Sequence, residues 1–181
     1  MTQASSAMST WIGTLARSGV VSGTEAAGLA VAAYVVGEDR LDQLRVWFGE
    51  QSPEVALREK RAAIEICIWM ANADRNLDPE EAYFLKQLVM SASMDDDTVD
   101  ALVSAVHDPP SLDGLEQRIT HPVLRELMLA LSWELAGTDG SVDRAEAAFH
   151  EGLAKRLGVG DARAEELRSA VTERLSAPPA P

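Results

Sequence analysis

An internal self-similarity constrains this chain more than any other feature of its sequence. The segment MANADRNLDPEEAYFLKQLVMSASM, residues 70–94, lies over LAGTDGSVDRAEAAFHEGLAKRLGV, residues 135–159, without a gap. Met70 matches Leu135, Asp74 matches Asp139, Leu77 matches Val142, Asp78 matches Asp143, Glu81 matches Glu146, Phe84 matches Phe149 and Leu88 matches Leu153. After the turn, the apolar positions of each copy are spaced three to four residues apart, the interval that lines one face of a helix. Each copy therefore reads as a helix, a carboxylate-rich turn and a second helix. One such unit cannot bury its apolar stripe alone. Two are expected to pack face to face about a pseudo-twofold axis, with the phenylalanines and leucines between them.

The rest of the chain fits a compact, all-α, multi-helix domain. Its 181 residues, 46% hydrophobic and 25% charged, suffice for one buried core and are short for two. Aromatic residues are only 5% and β-branched residues seldom run together, which favours helices over strands. Caps and apolar spacing place helices at 9–17, at 24–36 with Thr24 as N-cap, and at 40–48. A long one follows from Pro53 to about residue 73, apolar on nearly every side in its second half and so expected at the centre. Further helices are expected at 79–92, after Asp97 as N-cap, after Ser111, from His121-Pro122, and at 144–157 with Gly158 as the terminating glycine. A last one carries Leu167, Val171 and Leu175. The domain reading is a helical extension over 1–52, a core over 53–175 and an unstructured tail over 176–181.

Charge narrows the partners. The formal net charge is −13, and residues 74–146 alone hold 16 acidic and 5 basic side chains. A field of that sign repels phosphate backbones and attracts cations or basic protein surfaces, which argues against nucleic acid as a partner. The N-terminus lacks a basic stretch followed by an apolar block, and the most apolar window, residues 18–37, contains Glu25. These features predict a cytoplasmic protein without a transmembrane segment. The single Cys67 lies inside AAIEICIWMA and reads as a small buried hydrophobe.

Within each repeat the pattern is D-x-[NS]-[LV]-D-x-x-E. Asp78 with Glu81, and Asp143 with Glu146, have capping-box spacing, which accounts for all four residues at about 1 kcal/mol per box. Asp74 and Asp139 precede the caps by four residues, so each turn presents several oxygens within a short arc, the kind of ligand set that calcium or magnesium needs. An EF-hand is excluded: Pro79 or Arg144 stands where its glycine must be, and Leu85 or His150 where its bidentate glutamate must be. Two readings stand side by side here, a cation site outside the EF-hand pattern, or caps and turns alone.

No enzymatic pattern competes. A carboxylate-bridged di-metal centre from Glu65, Glu134, Glu146 and His150 lacks the Glu-x-x-His pairs that such centres use. His107, His121 and His150 have no nucleophile beside them and read as surface or cap residues, while Trp11, Trp47, Trp69 and Trp133 read as packing residues. No nucleotide or nucleophile-elbow fingerprint occurs.

The paired segments ANADRNLDPEEAYFLKQLV and AGTDGSVDRAEAAFHEGLAKRLGV, joined by VLRELMLALSWELAGTD, resemble the TerB tellurite-resistance family over roughly residues 55 to 175. In that family, A-x-x-D-G-x-[IV]-x-x-x-E turns link paired helices of a compact all-α domain. The resemblance implies a non-enzymatic role in the bacterial response to tellurite and other chemical stress, in complexes with protein partners at the inner membrane surface. It also implies a metal-binding acidic surface. Carried over by position, the ligands of a divalent cation such as calcium, magnesium or zinc are Asp74, Asp78 and Glu81 in the first turn and Asp139, Asp143 and Glu146 in the second. The first turn departs from the motif with Arg75-Asn76 where the second has Gly140-Ser141. Related domains also stand beside J-domains in co-chaperones, so an interaction module with purely structural turns is the alternative, and residues 1–52 could equally pack on the core, bind a partner or form a homodimer.

Overall fold

The computed structural model describes residue 12 and residues 25–72, 79–92, 94–136 and 144–176. Among these residues there are nine helices and no strand, which makes the chain all-α as expected. They are α1 (Glu25–Val36), α2 (Glu38–Glu50), α3 (Pro53–Ala71), α4 (Pro79–Ser91), α5 (Asp96–Ala105), α6 (Leu115–Arg118), α7 (Pro122–Ala136), α8 (Arg144–Leu157) and α9 (Asp161–Ser176). Ile12 is helical and buried; the rest of the expected helix at 9–17, Thr24 and the tail beyond Ser176 lie outside the described residues.

Two central helices, α3 and α7, pack on each other and organise the rest. From Ala62 to Ile68 every side chain of α3 is buried, and from Leu127 to Ser132 every side chain of α7 is buried. That placement follows from apolar side chains on all faces, which water would leave exposed on any outer helix. Helices α4 and α5 pack on α3 and on each other, while α8 and α9 pack on α7. The connections cross over: α2 precedes α3 in the chain but packs on α7, and α6 precedes α7 but packs on α3. Helix α1 lies against α2, α7 and α9, so the described part of the extension, from Glu25 onward, packs on the core.

Local chemistry explains most boundaries. Ser52 Oγ accepts the Val55 N–H ahead of Pro53 in the first turn of α3, and Lys60 Nζ donates to the Ala92 carbonyl beyond the end of α4. Gly158 ends α8 with φ 64, a conformation that costs a residue with a Cβ. Two expected caps are corrected. The cap of α5 is Asp95 instead of Asp97: its Oδ1 accepts the Thr98 N–H at 2.9 Å and its Oδ2 accepts the Thr98 hydroxyl at 2.8 Å. Of the three consecutive aspartates only Asp95 has a residue at i+3 that supplies both donors. Likewise α6 opens at Gly114, with φ 66, and Ser111 instead accepts the Asp113 N–H in the turn before it.

The helix boundaries recur in the register seen in the sequence, the one that carries Met70 onto Leu135. Helices α3 and α7 end at Ala71 and Ala136, α4 and α8 begin at Pro79 and Arg144, and α5 and α9 begin at Asp96 and Asp161, each pair separated by that same interval. Burial recurs with them. Residues 94–108 are buried, half-buried or exposed in the same order as residues 159–173, position by position, and Leu88, Val89 and Ala92 are buried as are Leu153, Ala154 and Leu157. Phe149 is half-buried against the core; the Phe84 side chain, its expected partner, is outside the description.

Candidate functional site

The two acidic segments join α3 to α4 and α7 to α8. Asp74, Asp78, Asp139 and Asp143 lie outside the described residues. Glu81 and Glu146 fall in the first turns of α4 and α8, and their side chains are likewise outside the description. The helices that lead into the turns are braced from the side. Asn72 closes α3 with its side-chain amide donating to the Ile68 carbonyl at 2.8 Å and across to the Val106 carbonyl at 3.1 Å, which ties the first stem to α5. Trp69, one turn earlier, donates its indole N–H to the Pro110 carbonyl.

The second stem is braced by different chemistry. Trp133 donates its indole N–H to Thr172 Oγ1 at 3.2 Å, Arg168 stacks 5.3 Å from its ring centre, and His150 meets it edge-on at 4.8 Å. An open groove of about 440 Å³ beside it is lined by Trp133, Glu165, Arg168 and Thr172 among others. Arg168 is itself paired with Glu165, and the indole face it covers is occupied. Trp47, Trp69 and Trp133 are all half-buried packing residues as expected; Trp11 is outside the description.

Buried carboxylates stand on the two central helices, and of these the sequence reasoning missed Glu59 and Glu126 while it weighed Glu65 and Glu134 only as metal ligands. Glu59 is 0% exposed and accepts the Thr120 N–H through both oxygens at 2.9 Å, as well as the Thr120 hydroxyl at 2.6 Å, just ahead of α7. Glu65 is held by Arg61 at 3.0 Å and by Arg118. Glu126 receives Arg40 from α2 and Arg163 from α9. Burial acts to raise the Glu126 pKa, but the two guanidinium groups hold its carboxyl below the usual carboxylate range. The signal was available in part: a glutamate inside an apolar helical run, as in AAIEICI or LRELMLA, must find a partner or remain uncharged. The partners were not legible, being 86 and 37 residues away in the case of Glu126.

This arrangement leaves Glu65 committed to two arginines, so the di-metal alternative loses one of its ligands. Cys67 is buried and its thiol is pushed up to about 12 by burial, which keeps it in the inert thiol form, as expected. The histidines divide. His107 is exposed, and His121 is a cap, its Nδ1 accepting the Val123 N–H at 3.3 Å. His150 is a correction to the surface-or-cap expectation: it is only 5% exposed. It stands where the first repeat has Leu85, so the core position kept its burial and changed its chemistry. Burial and the nearby Arg168 lower its pKa below the ordinary value, and its Nε2 has no hydrogen-bond partner among the described residues.

Outward, the acidic residues between α4 and α7 all face solvent: Asp95, Asp96, Asp97, Asp100, Asp108, Asp113 and Glu116 are exposed. No described helix is long and apolar enough to cross a membrane. Among the described residues no group of three metal-ligating side chains comes together. No family model matches this chain, and no curated protein and no solved structure matches it either.

Proposed function

We propose that the chain is a TerB-like, non-enzymatic protein of the bacterial response to tellurite and other chemical stress, built from a duplicated three-helix unit whose two acidic turns bind a divalent cation. The recurrence of helix ends and starts in the register of the sequence repeat carries this reading. In the sequence, Asp74, Asp78 and Glu81 match Asp139, Asp143 and Glu146 in that same register, which supports giving the two sets one role. The crossed packing of α2 on α7 and α6 on α3 supports a pseudo-twofold relation between the units. A binding role in place of catalysis fits the interior, where Glu59, Glu65 and Glu126 are all engaged in structural pairs.

The test is calorimetric titration of calcium, magnesium and zinc into the metal-free full chain, beside the Asp74→Asn, Asp139→Asn double variant. Saturable binding that the double variant loses is the expected result. Binding unchanged in the variant, or none in the parent, would overturn the cation reading.

A second reading has its own observation. The exposed acidic run from Asp95 to Glu116 offers a docking face for a basic protein surface, with the turns then purely structural. Asp96→Lys, Asp97→Lys and Asp100→Lys together test it, since they spare the Asp95 cap. A complex with a basic partner that withstands all three reversals, at low salt, argues against that face.

A further inference from the structure

Helix α2 is fastened across the N-terminal turns of α7 at two points. Near its start, Arg40 pairs with Glu126. Near its end, the Trp47 ring lies 4.9 Å from the His121 imidazole, tilted by 48°. His121 immediately precedes Pro122, and its Nδ1 accepts the Val123 N–H at 3.3 Å, so the same ring caps α7. An imidazole whose Nδ1 accepts a hydrogen bond is uncharged, with its proton on Nε2. Protonation would turn that acceptor into a donor facing a donor. It would also place a cation at the N-terminus of a helix, where the macrodipole disfavours it.

The charged groups facing the ring come from two other helices. Arg40 on α2 opposes a second cation, and Glu59 on α3 favours one. Glu59 is already engaged, by the N–H and hydroxyl of Thr120 and by the Arg58 guanidinium 3.7 Å away. Burial is the largest influence, and with Arg40 it outweighs Glu59, so the ring resists protonation while packed.

We propose that His121 is an acid-sensitive latch: its neutral ring, set between Trp47 and the first turn of α7, holds the end of α2 in place, and protonation releases it. The released state accepts the proton more readily than the packed one, so acid shifts the population toward it. Leu44 and Phe48, buried on α2, become accessible in that state. The Arg40–Glu126 pair tethers the other end, because the Glu126 carboxyl stays charged to lower pH than an ordinary carboxylate.

Amide hydrogen exchange of the full chain at pH 7.5 and 5.5, corrected for intrinsic rates, tests the latch. Peptides from Leu41 to Glu50 lose protection on acidification while peptides from the middle of α3 keep theirs. His121→Asn retains a cap acceptor without a titrating ring and abolishes that loss. Equal protection of α2 at both pH values overturns the proposal, as does the same loss in His121→Asn. Should that variant fold poorly by circular dichroism, the parent chain decides by NMR. The Trp47 indole signal then moves with the His121 titration, at a midpoint below 6.5, and an indole signal that stays still through that titration overturns the latch equally.

Discussion

Helices α3–α5 and α7–α9 share a skeleton of burial and differ in what the buried positions are made of. Leu88 and Leu153 are both buried, as are Leu102 and Leu167 and Val106 and Val171. Yet Glu59 stands opposite Leu124, Leu85 opposite His150, and the fully buried Ile68 opposite the half-buried Trp133. The difference teaches that the two segments have their apolar anchors in common and not the contacts made at their other buried positions. The ionic and aromatic contacts belong to one unit or the other and fasten it to neighbours the other lacks. Glu59 secures the entry to α7, Glu126 gathers α2 and α9, and His150 supports the Trp133 stem.

Exchanging residues between the units is the way to break or sharpen that comparison. The largest expected effect is at the shared anchors: Leu88→Ala and Leu153→Ala each remove a fully packed side chain and cost about 2–5 kcal/mol. If the two sites are equivalent, urea melts place the two variants within about 1 kcal/mol of each other, and a wide gap would separate the units. Next comes Glu59→Leu, which imports the residue of the other unit. It leaves the Thr120 N–H and hydroxyl without their buried acceptor, for a loss of about 1–3 kcal/mol despite the added apolar surface. A neutral or stabilising result would mean that Glu59 is no fastening.

His150→Leu makes the reverse exchange and is expected to change stability at pH 7.5 by less than about 1 kcal/mol, since it trades the Leu129 hydrogen bond and a ring contact for relief of a buried, unpartnered nitrogen. Its effect on pH dependence is clearer. The pKa values of His121 and His150 are both lowered in the folded chain, so below 6.5 the unfolded chain binds protons that the folded chain does not. Their contribution to stability is complete above 6.5 and is lost as the pH falls from there through the folded values. Thermal melts should therefore show a lower Tm at pH 5.5 than at 7.5, and His150→Leu should reduce that difference. Glu126 adds a later loss, below 4.5, as its carboxyl is forced to protonate away from Arg40 and Arg163.

The sequence made most helix boundaries legible because they rest on local rules: Ser52 before Pro53, His121 before Pro122, and Gly158 where φ must be positive. The Asp95-Asp96-Asp97 run was ambiguous because each aspartate can cap, and only the hydroxyl of Thr98 selects among them. The continuation of the repeat was legible and missed. Leu102, Ser104, Ala105 and Val106 stand over Leu167, Ser169, Ala170 and Val171 in the same register. The pairs of Glu59 with Thr120 and Glu126 with Arg40 were not legible, because side chains 61 and 86 residues apart are brought together only by the crossed packing of the two central helices.

On the reading proposed above, the two segments of the repeat carry equivalent cation-binding turns. Hydrogen exchange of the metal-free full chain, with and without a saturating divalent cation, tests it in one measurement. Added protection is expected at both stems, around the end of α3 and start of α4 and again around the end of α7 and start of α8, at positions that match in the register of the repeat. Protection at neither stem, or at one alone, would contradict it.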